Sequence, residues 1–386
     1  MAKIDTLQEV KTILSQETDF LKPLLKTLLT EILQAEMREV VGVENYQRSG
    51  NRKGYRSGYY SRQYITRIGS IDLRIPRDRE GKFCTELFDR YQRSEKALLT
   101  SLSEMYIQGV STRKVKHITE ELCGHEFSAS TVSNINKTLD EHLSAFAQRT
   151  LSAKYPYIIL DARYEKVREA GMITSQAILI AIGITEEGKK EVLGVELANR
   201  ESRTSWKDFL LKLRKRGLTG VRFVVSDSHE GLKQSIMEIF SEAIWQRCFV
   251  HFLRNVLDYL PKRSDNICLQ ELRAIYERMT LKEALNSKQE WVTKWREKYP
   301  RLCDWVEDQI GETFAYYHLP EQHYKLMRST NLLERINEEI KRRTRVVRIF
   351  PNSQSCLRLI RALVIEIHES WLVERKSLNM KLLEVA

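Results

Sequence analysis

Apolar side chains recur at three- and four-residue intervals near the start of the chain. Leu21, Leu25, Leu28, Ile32 and Ala35 form one row, and Leu24, Leu29 and Leu33 widen it. This period predicts a helix over 19–42. Asp19 supplies an N-cap, Pro23 sits in the first turn and Gly42 supplies the stop. The stripe suits either a core or a seam between two copies. The period then shortens to two. In "QYITRIGSIDLRIP" apolar and polar residues alternate around a Gly-Ser turn, the pattern of a β-hairpin. Helical spacing returns in three short pieces: "EKALLTSLSEMYIQ" as far as Gly109, "STRKVKHITEEL" from Ser111 to near Gly124, and "STVSNINKTLDEHL" from Ser130. Glycine breaks and serine caps suit a helix-turn-helix unit or a plain three-helix bundle.

After Ala153 the texture is that of a sheet. "YPYIILD", "MITSQAILIAIGI", "KEVLGVELA", "VRFVVSD" and "AIWQRCFVH" read as five strands. "TSWKDFLLKLRKRG" is helical between the third and fourth, and "HEGLKQSIMEIF" is helical after the fourth. Three consecutive strands followed by alternation with helices predict a mixed α/β sheet. Residues 251–326 are helical and aromatic, with Trp291, Trp295 and Trp305 near Tyr299 and Ile310. Most of these rings are expected in a core. A last amphipathic helix is predicted over 353–373.

Composition narrows the partner. The chain has 386 residues, 42% of them hydrophobic, enough for roughly two to four compact units. Its net charge of +11 is concentrated in two windows. Residues 47–79 carry nine Lys/Arg against two Asp, and residues 335–348 carry six against two Glu. Two local basic patches favour a phosphate polymer. In the first, Arg52, Lys53, Arg56, Arg62 and Arg67 interleave with Tyr55, Tyr59, Tyr60 and Tyr64, a surface that suits phosphates and bases or simply a solvated arm. In the third short helix, Thr131, Ser133, Asn134, Asn136 and Lys137 suit a DNA groove. The six cysteines include no C-x-x-C pair. No secretory apolar segment opens the chain, and no run of about 18 apolar residues could span a bilayer. Free thiols in a reducing compartment are expected. Cys248 and His251 have ligand-like spacing but no second pair, which argues against structural zinc.

Two predicted strands run into aspartates, Asp161 and Asp227. Open α/β sheets bind ligands at the carboxyl ends of their strands. Paired carboxylates repel, and a hard divalent cation relieves that cost. The alternative is that strand-end aspartates cap turns or helices, as "SDSHEGL" allows for Asp227. Glu334 is the candidate third acid. Asn331-x-x-Glu334 also has capping-box spacing. Glu334 and Lys341 are almost two helical turns apart, so one face offers an acid and, about 10 Å on, a base. Leu332, Leu333, Ile336 and Ile340 define the side expected to be buried. On this reading Asp161, Asp227 and Glu334 surround two Mg²⁺ ions, with Mn²⁺ as a substitute. Lys341, Arg342, Arg343 and Arg345 then hold flanking phosphates.

Strand–Asp161, strand–"SDSHEGL", "CFVH" and "STNLLERINEEIKRRTRVV", in this order and spacing, resemble the prokaryotic insertion-sequence transposases of the Mutator superfamily. The basic "GYRSGYYSRQYITRIGSIDLRIPRDREGKF" block and "RTSWKDFLLKLRKRGL" extend the resemblance over nearly the whole chain. It implies a ribonuclease-H-like α/β catalytic core with an Asp161–Asp227–Glu334 triad, interrupted by an all-helical insertion and preceded by a helical and β-hairpin DNA-binding region. The implied division is 1–94 (helix and basic hairpin), 95–150 (helix-turn-helix-like), 151–262 (catalytic, first part), 263–325 (insertion) and 326–386 (catalytic, second part). Cys248 and His251 match the family's C-x-x-H signature, with His251 near the triad but outside the metal's immediate ligands. His229 falls in the motif around the second aspartate. The implied activity is metal-dependent cleavage and strand transfer at terminal inverted repeats of double-stranded DNA, without ATP. A homodimer or higher assembly associated with a prokaryotic nucleoid in the cytoplasm, and no membrane, go with it. The alternatives are a ribonuclease-H-like nuclease or resolvase that only hydrolyses, and a non-catalytic DNA-binding regulator. Joined products separate the first, and absence of divalent-ion binding would favour the second.

Overall fold

In the computed structural model the first described helix, α1, spans Leu21–Val41 and stops where Gly42 takes a φ of 77°. The structure describes residues 21–44, 47, 50, 52–66, 68–81, 83–87, 96–108, 110, 112–123, 127–128, 131–132, 136–137, 139–261 and 266–384. Asp19, the expected cap, lies outside them. Strands β1 (Arg56–Thr66) and β2 (Gly69–Asp78) form an antiparallel hairpin. It closes at the Thr66–Gly69 pair, so Gly69 and Ser70 open β2 and do not form the expected turn. Gly58, at φ 82°, sits where the register slips between Arg56 and Tyr59, as in a β-bulge. Leu33, with Leu25 and Leu29 beside it, packs on Tyr64, Ile71, Leu73 and Ile75. The hairpin therefore takes the four-residue row of α1, and Leu21, Leu28 and Ile32 of the predicted stripe are exposed. Helices α2 (Lys96–Ile107) and α3 (Thr112–Cys123) bury Leu98, Leu102 and Val115 with Phe127 and Val132. Residues 131–132 and 136–137 are helical.

Contacts divide the chain into two compact units, Met1–Thr138 and Leu139–Ala386. The second begins with α4 (Asp140–Gln148) and contains a five-stranded sheet: β3 (Tyr157–Glu169), β4 (Met172–Ile184), β5 (Lys190–Ala198), β6 (Phe223–Ser226) and β7 (Ile244–Arg247). The order is β5-β4-β3-β6-β7, antiparallel among the first three and parallel from β3 through β6 to β7. Helices α5 (Arg203–Lys215) and α6 (Glu230–Ile239) cover one face, burying Trp206, Phe209, Leu213, Leu232 and Ile236 on Ile158, Leu160, Leu179 and Val224. Side chains alternate across a strand, so Tyr157 points to the other face, where its hydroxyl meets His323 Nδ1 at 2.7 Å. α7 (Phe249–Val256) follows β7 directly.

Between α7 and the segment that carries Glu334 the described chain is helical. It comprises α8 (Asn266–Ala274), α9 (Leu281–Trp295), closed at its start by a Thr280–Glu283 capping box, and α10 (Pro300–Gln309), followed by short 3₁₀ turns and one α-helical turn, Tyr324–Met327. Trp291 and Trp295 are buried, as expected of core rings, and Trp305 stacks on Phe252 with centroids 4.7 Å apart. Then come α11 (Asn331–Thr344) and α12 (Ser353–Val373), the latter capped by Asn352 and packed on β5. Among the described residues no helix is long and apolar enough to cross a membrane.

One strand departs from expectation in a way that shapes the site. β3 does not end at Asp161 but runs to Glu169, because β4 pairs with it along its whole length, from Tyr157↔Ile184 to Glu169↔Met172. On its other side β6 covers only Tyr157–Ile159. The second half of β3 thus has an edge free of β6, which Phe350 meets by backbone pairing. Phe350 N donates to Lys166 O, and Arg168 N donates to Phe350 O.

Candidate active site

Tyr157, Ile158 and Ile159 pair with Phe223, Val224 and Val225, an offset of 66 residues (223 − 157). Asp227 also follows Asp161 by 66 residues (227 − 161). The same register carried forward sets Asp161 level with Asp227, one residue past the end of β6. Asp161 is only 6% exposed. Burial pushes its carboxyl up to about 7, and the charge of Asp227 adds to the rise. The Ala162 N–H opposes it, and Glu201 and Glu334 contribute smaller upward pushes. Oδ1 of Asp161 accepts from Ala162 N at 2.9 Å, and Oδ2 accepts from Asn337 Nδ2 at 2.8 Å. Asp227 Oδ1 accepts the His229 N–H at 3.1 Å. His229 caps α6, its Nδ1 accepting from Leu232 N at 3.4 Å.

Glu334 reaches this edge because α11 docks on β3. Asp161, Arg163 and Glu165, alternate residues on one face, all contact it. Asn337 bonds to Asp161, Arg163 NH1 donates to the Asn337 carbonyl, and Thr344 Oγ1 donates to Glu165 Oε1 at 3.0 Å. The predicted inner row, Leu332, Leu333, Ile336 and Ile340, is buried. The Glu334 side chain does not close a capping box: Thr330 is the N-cap and no side chain caps the helix. Instead Glu334 Oε1 accepts from Arg254 NH2 of α7 at 3.1 Å.

Cys248 and His251 tie these elements together. Cys248 N donates to Ser226 O at 2.7 Å, beside Asp227. Its Sγ accepts from both Thr330 N and Thr330 Oγ1 at 3.3 Å, at the start of α11. Burial pushes the thiol pKa up, so Cys248 is a neutral, enclosed anchor. His251 Nδ1 lies 3.5 Å from Thr330 Oγ1. Burial lowers the imidazole pKa, against the pull of Asp227 and Glu334. Among the described residues no three His, Cys, Asp or Glu side chains are gathered closely enough to share one ion. Glu334 is turned to Arg254 and Asp161 to Asn337.

A family model described as "Transposase, Mutator family" matches residues 1–374. The chain belongs to this family. It is 57% identical, over 96% of its length and 93% of the relative's, to the "Transposase for insertion sequence element ISRM5" of Rhizobium meliloti. It is 38% identical, over 96% and 97%, to the "Transposase for insertion sequence element IS256 in transposon Tn4001" of Staphylococcus aureus. A solved structure, "Crystal structure of the Mos1 Strand Transfer Complex", is 15% identical over 42% of this chain and 60% of that one, with a TM-score of 0.17. An overlap that loose establishes no shared fold.

The site of this Mutator-family transposase contains residues that the sequence pattern did not single out. Glu201, just before α5, has a side chain only 10% exposed, and its Oε1 lies 3.7 Å from His229 Nδ1 and accepts from Trp206 Nε1 at 3.0 Å. Burial raises its pKa, the Trp206 bond opposes that, and Asp227 adds to it. The approach depends on Gly231: a Cβ there would lie 2.6 Å from Arg203 N, so a larger residue would force α5 and α6 apart. "RES" gave no strand-end signal, and only the buried Trp206 five residues on could have pointed to Glu201. Asn337 and Arg254 were missed because their partners lie far away in sequence.

The expected DNA-facing bases are placed unequally. Lys341, Arg342 and Arg345 are exposed. Arg343, expected among them, is 5% exposed and donates to Glu339. Arg342 grips the same carboxylate at 2.9 and 2.7 Å and, more than Arg343, holds Glu339 down to about 2. In the hairpin region Lys53 is exposed, Arg52 and Arg62 are half-buried, and Arg56 donates to Gln34 at 2.9 Å. Arg52 and Arg79 lie over Tyr55 at 5.0 and 5.7 Å, and Arg77 lies over Tyr60 at 4.7 Å. The Arg–Tyr interleaving thus makes cation–π contacts, and Tyr64 belongs to the core. Lys137 is exposed, whereas Asn136, expected on a groove-facing surface, is buried. Arg67, Ser133 and Asn134 lie outside the described residues.

Proposed function

We propose that this transposase binds the terminal inverted repeats of its own element and cuts and rejoins DNA at a site built by Asp161, Asp227 and Glu334 on a ribonuclease-H-like core. One observation carries the reading: Asp161 on β3 and Asp227, one residue past the end of the parallel β6, follow the β3–β6 register, and the helix bearing Glu334 docks on β3 at Asp161. The strand order, three antiparallel strands followed by two parallel ones, supports the core, and α8–α10 fit a helical insertion before the glutamate.

The residues fit hard divalent ions. They offer three carboxylates, and the charges of Asp227 and Glu334 are part of what raises Asp161; Oδ1 of Asn337, whose amide holds Asp161, is buried without a partner. Two Mg²⁺ ions, or Mn²⁺, held by Asp161, Asp227 and Glu334 would supply an acidified water and charge neutralisation at the phosphate. The chain's own groups do the rest. Release of Glu334 from Arg254 frees both a carboxylate for the ion and a guanidinium for a phosphate oxygen. Lys341, two turns along the same face, holds the neighbouring phosphate. Cys248, through Thr330, fixes where α11 begins. At the element's end, water adds to phosphorus as the bond to the 3′ oxygen breaks. The freed 3′-hydroxyl then attacks a target phosphodiester, exchanging one P–O bond for another. Exposed Leu21, Leu28 and Ile32 on α1 offer a seam for the second copy that pairing two ends requires.

The test uses duplex oligonucleotides bearing the element's ends, with Mg²⁺ or Mn²⁺. Asp161→Asn, Asp227→Asn and Glu334→Gln each lose cutting and joining but keep end binding. Near-normal strand transfer by any one of them overturns the assignment, and cut products that are never joined select a hydrolase.

A further inference from the structure

We propose that Asn337 is a fourth member of this constellation, holding Asp161 through its amide N–H and presenting Oδ1 as an oxygen ligand to the divalent cation. The inference rests on the triad reading above. Three observations lead to it. Asn337 is one turn along α11 from Glu334, so both project from one face of the helix. Its Nδ2 donates to Asp161 Oδ2 at 2.8 Å, across 176 residues of sequence. Its Oδ1 is buried and has no hydrogen-bond partner.

The amide orientation follows from chemistry. A carboxylate accepts only, so the nitrogen must face Asp161 and the oxygen must face away. A buried acceptor left unpaired costs about 1–3 kcal/mol, and structures rarely keep one without a use. The orphan oxygen belongs to the amide that holds Asp161 and is a neutral hard donor of the kind Mg²⁺ and Mn²⁺ accept. Backbone contact fixes the residue further: Arg163 NH1 donates to the Asn337 carbonyl and its NH2 is held by Glu165 of the same strand at 2.6 Å, so the helix cannot rotate the side chain away without breaking the bond to Arg163. A neutral ligand also adds coordination without adding to the repulsion that already acts on Asp161.

The test is Mn²⁺ binding to the full-length protein without DNA, read by the loss of the free-ion electron paramagnetic resonance signal. Asp161→Asn serves as the reference for the triad. Asn337→Ala removes both functions, and its affinity should fall about tenfold or more, in the range seen when groups supporting a metal site are lost. Asn337→Asp keeps an oxygen donor, and its affinity should match or exceed that of the native protein. If Asp161→Asn leaves Mn²⁺ binding unchanged, the triad reading fails. If Asp161→Asn loses binding but Asn337→Ala keeps it, only the present inference fails. Should Asn337→Ala not fold, Asn337→Asp decides alone: retained affinity supports an oxygen ligand, and reduced affinity overturns it.

Discussion

Replacing Asp161 by Asn should make the metal-free protein more stable at pH 8 while it abolishes catalysis. The folded environment raises this carboxyl from an ordinary 3.8 to about 7, chiefly by burial and then by Asp227. An acid with a raised folded pKa binds its proton more tightly when folded. Native stability is therefore greatest below the unfolded pKa and is lost as pH rises through the folded one. About three units at about 1.4 kcal/mol each give roughly 4 kcal/mol lost between pH 4 and pH 8. That is an upper limit, because local relaxation and water entry relieve part of it. Asparagine removes the charge and keeps the shape. Its Oδ1 still accepts from Ala162 N, and Asn337 need only turn its amide over to offer the orphan Oδ1 to the new N–H. At about 2–4 °C per kcal/mol for a unit of this size, the variant should melt as much as roughly 8–16 °C higher at pH 8. The assay is thermal unfolding in chelator at pH 4.5 and pH 8. The gain should vanish at pH 4.5, where the native carboxyl is already neutral. Saturating Mn²⁺ at pH 8 should stabilise the native protein, as any ligand of the folded state does, and leave the variant unmoved. A variant no more stable than the native protein at pH 8, or equally favoured at both pH values, refutes the reasoning.

Thr330→Val should lower stability by about 1 kcal/mol, the usual cost of one lost hydrogen bond, because it removes the hydroxyl that reaches Cys248 Sγ and His251 Nδ1. It should slow cutting without weakening DNA binding, measured by single-turnover kinetics beside a binding isotherm; an equal fall in both would show that Thr330 does not act through α11. Charge reversal at Arg52, Lys53 and Arg62 should weaken end binding and flatten its salt dependence, since each phosphate contact adds about 0.9 to the slope. Cleavage of DNA already bound should change less, and equal loss of both would remove the hairpin region from end recognition.

Elements with a clear local period were legible in the chain. The five strands read as short, largely apolar runs, and the helices α5 and α6 and the last helix over residues 353–373 follow from side chains that repeat at three to four residues. The buried row of α11 was legible for the same reason. Where two readings shared one period, the sequence could not choose. The stripe of α1 offered several rows, and the hairpin that packs on it selected Leu25, Leu29 and Leu33. Composition misplaced Arg343 because charge alone does not reveal that Glu339, one turn away, draws the side chain inward.

The sequence by itself determined which segments form strands and helices and which acids are available, including the 66 residues from Asp161 to Asp227 that the β3–β6 register reproduces. The tertiary structure alone decided what those acids touch. β4 carries β3 past Asp161 on to Glu169, and the face of that extension, from Asp161 to Glu165, is where α11 docks. Asn337 thereby meets Asp161, and Arg254 meets Glu334. Contacts of that kind depend on the unequal lengths of neighbouring strands and on the space left between them. Local periodicity carries no record of either, because it reports only on residues a few positions apart.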